Sequence, residues 1–594
     1  MRAPDPTVLA RTVPSTTDAD PVLSAAALSR NSGRVLDPAT ATQPGRQRRL
    51  AETGDDTAPV LAYRTTTYVA NQILVPSSLV APASAPDSGE RRRAALPSSL
   101  EEVAKAVGIT VEPVGVDVDR AASRGGERAP TDGAQPDGAQ PDGARRGAAA
   151  AEGAQASRVP SYVRVNLSPA AGDDRMPDAW RLVQALRDAD VPDVQQIGLN
   201  HLMFGTGIGG TPFNSGVTFN SGVTFNSGVP FNSGVPFNSG VSSGPNAYAL
   251  PGWGGKAPVT WLADLPARNP DLARRPVVAI LDTGVADHEW FDEPGLLQRY
   301  EIDPANGKVV AGTDYGKELE PNVIDPLQGL IDPFFGHGTF IAGLVRQNCP
   351  DANLLSIKLM GNDGVVDEFS LLAALAFLSD RQAAAQAEGG DPATAIDIVS
   401  LSLGYYHEEP GDVQSDLKLR HALGLLRAQG VLVLAAAGNN STVREMYPAA
   451  FSSYRDGVLQ VPDEEAAWPP LVSVGALNPD RSVALFSNGG SWVSCYSPGA
   501  ALVSSLPVVD AGSQAAISLG QPAGPDKVAS TWRANFDPDN YTGFGTWSGT
   551  SFATPVAAGA VAQQMLGGQD LGDVSAGACR NRSRNALAAL EFEL

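Results

Sequence analysis

The sequence is poor in cysteine and contains no long apolar run. Its three cysteines, Cys349, Cys495 and Cys579, are too few for a disulfide framework in a chain of 594 residues. No stretch is long enough to span a membrane, and no apolar signal segment follows Met1. We therefore expect a cytoplasmic protein without a membrane span, with secretion by an unrecognised route as the alternative.

Positive charge is also scarce. The chain has 43 lysines and arginines against 65 aspartates and glutamates, which gives a formal net charge of −22. A surface of this sign repels phosphate backbones, so nucleic acid is excluded as an expected partner.

The chain is too long for a single core, and its composition changes along its length. The start of the chain has no sustained periodicity, and a Gly-Ala-Arg-rich insertion interrupts the N-terminal half further on. Structured and flexible segments therefore alternate in this half. We predict five regions: disorder at 1–57, a small α+β domain at 58–205 with a flexible insertion at about 119–157, a Gly-rich linker at 206–251, a large domain at 252–568, and a tail at 569–594.

The small domain is predicted from short periodic segments. Apolar alternation indicates strands, and apolar residues on one face indicate helices. The predicted order is strand 63–75, helix 100–106, strand 109–116, strand 161–167, helix 178–189 and strand 194–203.

The linker carries a tandem array. The motif F-N-S-G-V recurs about every sixth residue between Phe213 and Val241. Five such short repeats bury little apolar surface, so the pattern favours an extended linker over a short solenoid.

The large domain alternates apolar strands with helical segments. This order indicates an α/β fold with a mostly parallel sheet covered by helices on both faces. The predicted segments are strands at 277–281, 354–358, 396–403, 431–436 and 471–476, and helices at 340–346, 368–378 and 417–429.

A serine stands at the start of an apolar helix in this domain. The sequence G-T-S-F-A-T-P (residues 549–555) places Ser551 just after a small-residue turn, and Pro555 suits the first helical turn. The unpaired N–H groups of a helix start would stabilise an oxygen that develops negative charge beside Ser551.

A serine nucleophile needs an imidazole base and an acid that orients it. Asp282 ends the apolar strand R-P-V-V-A-I-L-D and precedes a glycine turn, at the edge where α/β sheets build their sites. His337 lies between two glycines directly before a helical segment, and it is the best placed of the five histidines. Of the others, His288, His407 and His421 lie in polar loop or helix sequence, and His201 lies in another region.

Three stretches together resemble the active-site signatures of the subtilisin-like serine peptidases, in that family's order Asp, His, Ser. They are D-T-G-V (282–285), G-H-G-T (336–339) and the serine motif. The resemblance implies a three-layer subtilisin-like domain in which Asp282 orients His337 and His337 activates Ser551. It further implies an acyl-enzyme mechanism with no organic cofactor.

Other stretches extend the resemblance. A-G-N (437–439) resembles the segment whose amide, here of Asn439, donates to the oxyanion, while S-L-G (402–404) resembles the strand that pairs with substrate. Met446 matches a position at the floor of the specificity pocket, so Ser402, Leu403, Gly404 and Met446 are the predicted substrate-binding residues. Glu408, just beyond this strand, is expected in a solvated loop.

The sequence departs from the family pattern at Phe340 and Val556, where relatives often carry histidine. Neither position belongs to the triad, so the departures concern the subgroup. No loop matches a family calcium site residue by residue, so no metal ligand is predicted and calcium binding stays open.

The predicted small domain occupies the place of the family's propeptide, which assists folding and inhibits the site. On position alone, residues 58–205 are predicted to be an intramolecular inhibitor, with a separate ligand-binding or adaptor domain as the alternative. Self-cleavage would then fall in the Gly-rich segment at 206–251.

The sequence thus predicts a serine endopeptidase, held inactive by its N-terminal region, that acts on protein or peptide substrates. Two alternatives remain at this point. One is a serine-carboxyl peptidase, which uses a similar serine turn with glutamate in place of histidine, and the other is a catalytically silent binding protein.

Overall fold

In a computed structural model, the chain is described over the following residues: 25–36, 64–80, 95–114, 162–191, 193–207, 248, 254–264, 266–312, 315–318, 321, 323–325, 330–408, 417–455, 458–509, 541–567 and 570–590. The predicted insertion at 119–157 and the F-N-S-G-V array lie outside these residues, as does the predicted linker at 206–251 apart from residues 206, 207 and 248.

The N-terminal unit, comprising the described residues of 25–207, consists of an antiparallel sheet and three helices. Its elements are α1 (Ala25–Arg30), β1 (Gly33–Val35), β2 (Thr67–Pro76), α2 (Ser98–Ala106), β3 (Ile109–Val114), β4 (Tyr162–Pro169), α3 (Ala179–Asp188) and β5 (Gly198–Gly205). The strands are antiparallel in the order β3-β4-β2-β5, with β1 paired to β2. The small α+β fold predicted for this region is confirmed.

Helix α3 shows why the local sequence folds as it does. Asp178 caps it by accepting a hydrogen bond from the backbone N–H of Trp180. Trp180, Leu182, Val183 and Leu186 recur on one face and are buried in a core shared with β2, β4 and α2.

The prediction that all of 1–57 is disordered is wrong for residues 25–36. These form α1 and β1, and Ala27 and Leu36 are buried. The segment is ordered by distant contacts, because Asn31 Nδ2 donates to Asp363 Oδ2 at 3.1 Å, and the Arg30 guanidinium lies 3.6 Å from Asp332 Oδ1.

The C-terminal unit, comprising the described residues from 254 onward, is built on one large sheet. The strands are β7 (Val277–Asp282), β8 (Leu297–Ile302), β9 (Val309–Ala311), β12 (Asn353–Lys358), β14 (Ile398–Leu401), β16 (Leu432–Ala436), β19 (Leu471–Leu477) and β20 (Cys495–Pro498). Their order in the sheet is β20-β19-β16-β14-β7-β12-β8-β9, and every neighbouring pair is parallel except β8 and β9.

Helices cover both faces of this sheet. Strand β7 shows the division, since Val278 and Ile280 point into one core while Ala279 and Leu281 point into the other. Helices α4 (His337–Asn348), α7 (Thr550–Met565) and α8 (Ala576–Ala589) lie on the first side, and α5 (Glu368–Gln386) and α6 (Leu417–Ala428) on the second. The predicted α/β three-layer fold is therefore confirmed.

Short elements complete the unit. Three strands form an antiparallel sheet, β6 (Ala257–Pro258), β22 (Tyr541–Trp547) and β21 (Leu502–Val509). The remaining strands are β10 (Val323–Asp325), β11 (Leu330–Ile331), β13 (Val365–Asp367), β15 (Leu403–Gly404), β17 (Tyr454–Arg455) and β18 (Val458–Leu459).

The two units share a sheet. Strand β5 lies between β13 and β15 and pairs antiparallel with both, so that Phe204 stands opposite Val365 on one side and Gly404 on the other. The last strand of the N-terminal unit is thereby inserted into the C-terminal unit. Among the described residues, no helix combines the length and apolarity that crossing a membrane requires.

Candidate active site

Asp282 and His337 form a buried hydrogen-bonded pair. Asp282 lies at the carboxyl end of β7, and its Oδ1 is 2.7 Å from Nδ1 of His337, the first residue of α4. Both side chains are almost completely buried. The same carboxylate oxygen accepts the backbone N–H of Thr283 at 2.8 Å, so the acid and the ring hold each other in a fixed orientation.

The glycine after His337 allows this approach. A Cβ at Gly338 would lie 2.1 Å from the carbonyl oxygen of Gly284, in the turn that follows Asp282. Only a residue without a side chain lets the start of α4 pack directly on that turn.

Glu318 stabilises the Asp282–His337 pair, and no sequence motif predicted this residue. Its half-buried carboxylate accepts hydrogen bonds from Thr283 Oγ1 at 2.6 Å, from the Gly336 N–H at 2.8 Å and from Thr339 Oγ1. Burial raises the pKa of Glu318 despite these donors. Through these hydrogen bonds, Glu318 links the turn after Asp282 to the start of α4.

Ser551 lies in the first turn of α7, and this turn lies beside the carboxyl end of β5. Its Oγ is 2.7 Å from Thr206 Oγ1 and donates to the Ser402 carbonyl oxygen at 3.2 Å. His337 Nε2 is buried and has no hydrogen-bond partner among the described residues. The three predicted residues are thus brought to one place, but the hydroxyl of Ser551 is turned towards Thr206 and Ser402 instead of His337.

Asn439 lies in the loop after β16 and faces the same point. Thr550 fixes its amide, because the backbone N–H and the hydroxyl of Thr550 both donate to Asn439 Oδ1 at 2.9 Å. Asn439 Nδ2 donates to the carbonyl oxygen of Thr206, which also accepts the Ser551 N–H at 3.2 Å. Two N–H donors directed at one carbonyl oxygen are the geometry of an oxyanion hole.

The predicted substrate strand holds β5. Leu403 stands opposite Gly205, and the N–H of Thr206 donates to the Ser402 carbonyl at 3.1 Å. On the other side the N–H of Gly205 donates to the Gly364 carbonyl at 2.9 Å. This second wall, Gly364 and β13, was not predicted, because three residues are too short for a periodic signal.

Met446 lies under this strand. Its side chain is fully buried, and a Cβ at Gly404 or Gly438 would come within 2.7 Å or 2.3 Å of it. Its predicted role at the floor of a specificity pocket stays a prediction.

A second polar cluster lies beside the cleft. His201 of β5 is 2.9 Å from Glu368 through Nδ1 and 2.9 Å from Glu408 through Nε2, and Lys418 lies 2.9 Å from Glu368. The expectation that Glu408 lies in a solvated loop is wrong, since its side chain is buried. It is buried because it pairs with a histidine of the N-terminal unit, which the local sequence does not reveal.

The charges in this cluster determine its pKa values. Burial alone would lower the pKa of His201, but the carboxylates of Glu408 and Glu368 raise it to about 9. Burial lowers the pKa of His407 to about 4. Burial would raise the pKa of the Glu368 and Glu408 carboxyls, yet both pKa values lie below their usual range. Lys418 and His201 lower the pKa of Glu368, and the imidazoles of His407 and His201 lower that of Glu408.

His201, His407 and Glu408 also offer three donor atoms within 4.8 Å of one another, a spacing that fits a metal ion. However, both ring nitrogens of His201 are engaged by carboxylates. With His201 protonated, two cations balance two carboxylates, so the cluster is complete as a set of ion pairs.

The remaining histidines are structural or peripheral. His288 Nδ1 accepts the Trp290 N–H, and its Nε2 is 2.9 Å from the Gly543 carbonyl oxygen. His421 lies exposed on α6.

A buried Asp-His pair, an adjacent serine and two donors on a peptide carbonyl define the class of serine peptidases. The chain belongs to the Subtilase family, whose profile matches residues 273–571, or 299 of the 594 residues. It is a serine-type endopeptidase of that family.

Individual relatives agree with this assignment. The chain is 26% identical over 277 residues to the "Major intracellular serine protease" of Bacillus subtilis, covering 45% of this chain and 69% of the relative. It is also 26% identical over 322 residues to the "Intracellular serine protease" of Paenibacillus polymyxa, covering 52% and 69%. Another relative is named "Minor extracellular protease Epr", so the names span both compartments.

Among solved structures, the chain is similar to fervidolysin from Fervidobacterium pennivorans, described as a keratinolytic enzyme related to subtilisin. The identity is 16% and the TM-score 0.40, and the match covers 84% of this chain and 55% of that chain.

Proposed function

We propose that this subtilase hydrolyses peptide bonds through Asp282, His337 and Ser551, and that the first bond it cleaves is its own Thr206–Gly207 bond. The observation that carries the proposal is the position of the Thr206 carbonyl oxygen. It accepts hydrogen bonds from the Ser551 N–H and from Asn439 Nδ2, while β5 is paired on both sides as an extended substrate would be.

Attack begins with a rotation of the Ser551 side chain. Its hydroxyl leaves the Ser402 carbonyl and turns to Nε2 of His337, which accepts the proton as Oγ bonds to the carbonyl carbon of Thr206. Asp282 keeps the proton on Nδ1 and stabilises the imidazolium. The new negative charge on the Thr206 oxygen is met by the two N–H donors already in place.

The C–N bond then breaks, and the proton on Nε2 passes to the amide nitrogen of Gly207. A Cβ at Gly207 would lie 3.2 Å from Nε2, so the imidazole faces the leaving group. Thr206 remains as an ester on Ser551, and a water molecule, deprotonated by His337, hydrolyses that ester.

We further propose that the cleaved N-terminal unit stays bound and inhibits the enzyme. Contacts outside the cleft support this, since the amide of Asn200 donates to Asp367 at 2.9 Å and the guanidinium of Arg444 to the Thr65 carbonyl at 2.7 Å. The substrates are then protein or peptide segments that displace β5 and pair with β13 and β15 in its place.

The test is the amino terminus of the mature chain. Purified wild type should yield a fragment that begins at Gly207, whereas Ser551→Ala should remain one chain of 594 residues by mass spectrometry. An uncleaved wild type whose Ser551 also fails to react with a fluorophosphonate probe after removal of the residues before about 250 would instead identify a silent binding protein. An activity optimum well below the ordinary histidine pKa would favour a serine-carboxyl peptidase.

We also propose a cytoplasmic location. Two relatives are named intracellular, and Cys349, Cys495 and Cys579 are free and buried. Burial raises the pKa of Cys349 and Cys495 to about 12, so both remain thiols. Fractionation of the producing cells with an antibody against the mature enzyme tests this.

A further inference from the structure

Gly205, the residue before Thr206, is held rigidly in the cleft. Its N–H donates to the Gly364 carbonyl at 2.9 Å, and it stands opposite Leu403 in the ladder with β15. Its φ lies outside the left-handed region, so the backbone conformation does not require glycine. Any need for glycine at this position must come from what a side chain would meet.

A side chain at position 205 would meet Phe334. A Cβ built on Gly205 lies 2.6 Å from Cε1, 3.0 Å from Cδ1 and 3.4 Å from Cζ of the Phe334 ring. The first distance is well inside carbon–carbon contact distance. Even alanine would therefore overlap the ring unless the strand or the ring moved.

The ring of Phe334 has little room to move. On its other side a Cβ at Gly364 would lie 2.4 Å from Cδ2, so the ring fills the gap between the backbones of Gly364 and Gly205. It is fully buried and contacts the rings of His337, at a centroid distance of 5.0 Å, and Trp547, at 6.5 Å. Moving it would disturb the catalytic imidazole.

We infer that Phe334 is a specificity-determining residue that restricts this peptidase to extended segments with glycine as the second residue before the scissile bond. The inference rests on the proposed function, because it takes β5 as the pattern for substrates. The size of the side chain directly after the scissile bond is restricted less strictly. A Cβ at Gly207 would lie 3.1 Å from His337 Cδ2 and 3.4 Å from Phe334 Cε1.

The expected effect follows from the cost of overpacking a rigid site, which is typically large enough to change a rate constant by about 10- to 100-fold. Replacing Gly205 by alanine should slow self-cleavage at Thr206–Gly207 by about that factor. Removing the obstruction should largely abolish the rate difference between glycine and alanine at position 205, because the hydrogen bonds that align the strand are main-chain bonds.

The experiment is a double-mutant cycle on the full chain. Self-cleavage is followed by mass spectrometry in wild type, Gly205→Ala, Phe334→Ala and the double variant, with Phe334→Leu as a milder second truncation. Gly577→Ala is the matched control, because a Cβ on that helical glycine meets nothing within 4 Å. We expect Gly205→Ala to slow cleavage by about 10- to 100-fold when residue 334 is phenylalanine and by much less when it is alanine or leucine, each pair being compared in the same background.

A second measurement needs no variant of the enzyme. Two quenched fluorescent peptides, one with the sequence of residues 202–209 and one with alanine in place of Gly205, are compared on matured wild type. The ratio of their kcat/KM values is unaffected by a competing N-terminal unit and should be about 10 to 100 in favour of glycine.

The outcomes separate the two proposals. Equal cleavage of the glycine and alanine forms overturns the role of Phe334 while the proposed function stands. A Gly205→Ala effect that is equally large with phenylalanine, leucine and alanine at position 334 also overturns it. Absence of any cleavage by wild type overturns the proposed function, and this inference with it.

Discussion

Both the oxygen and the nitrogen of the Asn439 side-chain amide form hydrogen bonds, and these bonds predict the effect of replacing Asn439. Thr550 holds the oxygen, and the nitrogen points to the carbonyl that would become the oxyanion. Asn439→Ala should leave the fold intact and lower kcat by about 100- to 1000-fold with little change in KM, the range known for removing this kind of donor from subtilisin itself.

Steady-state kinetics on the matured enzyme check this prediction, and circular dichroism confirms that the variant is folded. Labelling by a fluorophosphonate should still reach completion, only more slowly, because Ser551 and His337 are untouched. A variant with wild-type kcat would show that Asn439 does not stabilise the transition state.

At the residue scale, short sequence motifs predicted the candidate site residues that lie in tight turns. Asp282, His337, Ser551 and Asn439 each stand beside glycine or threonine in a short recognisable stretch. Thr206 could not be found in this way, because its meaning comes from a contact with Ser551 across 345 residues. Glu318 and Phe334 were missed for the same reason, since each acts through side chains brought near by the fold.

At the scale of elements, β5 carries a charged histidine into the interface between the two units. His201 contacts Glu368 of α5, Glu408 after β15 and the neutral ring of His407, and Glu368 also pairs with Lys418 of α6. Because its pKa is raised to about 9 from 6.5, protonation is favoured in the assembled structure. This stabilisation is complete below about pH 6.5 and is lost as the pH rises through about 9.

We therefore expect the free energy of unfolding of the uncleaved Ser551→Ala chain to fall by about 1–3 kcal/mol between about pH 6.5 and 9.5. Urea denaturation across this range measures it. His407 acts oppositely, because its pKa is lowered to about 4, so its contribution is lost as the pH falls below about 6.5.

The matched control is the same chain with His201→Gln, which cannot be protonated. Its stability should be lower near pH 6.5 and should change much less above that pH. A wild-type profile that stays flat up to pH 9.5 would mean that the imidazole is not charged in the interface.

Among the elements, long periodic segments were predicted well and very short ones were not. Strand β7 and helix α3 have the apolar spacing of their kind over six or more residues. Strand β13 has three residues and exists as a strand only because β5 pairs with it. The two-residue strand β15 also pairs with β5, and it was predicted from the family resemblance of S-L-G and not from any periodicity. No local pattern can signal a strand whose partner comes from another unit.

At the scale of the whole molecule, Asp397 joins three distant parts of the chain. Its buried carboxylate is 2.8 Å from Arg274 and 3.2 Å from Arg582 of α8, and it accepts the Val277 N–H at the start of β7 at 2.9 Å. The C-terminal tail predicted at 569–594 is thus attached to the central sheet through Asp397.

Arg582→Ala should destabilise the Ser551→Ala chain by about 1–3 kcal/mol, because it removes a charge-assisted hydrogen bond from a buried carboxylate. Urea unfolding measures the change. Arg580→Ala on the same helix is the control, since its Nε donates only within α8, to the Ala576 carbonyl at 3.2 Å. Equal stability of the two variants would show that Asp397 does not depend on the tail.

The error at residues 25–36 belongs to this scale too. The segment has no sustained periodicity, and nothing within it distinguishes it from its neighbours. It is ordered because β1 pairs with β2 and because Arg30 of α1 and the following Asn31 both contact Asp363 of the C-terminal unit. Both contacts depend on the assembled molecule.

The position of β5 in the order of synthesis has a consequence for the cell that makes this enzyme. Residues 198–205 leave the ribosome well before the residues that form β13 and β15. The segment that fills the groove is therefore complete before the groove exists. If it inserts as soon as the groove folds, newly made molecules never present an open active site to bystander proteins.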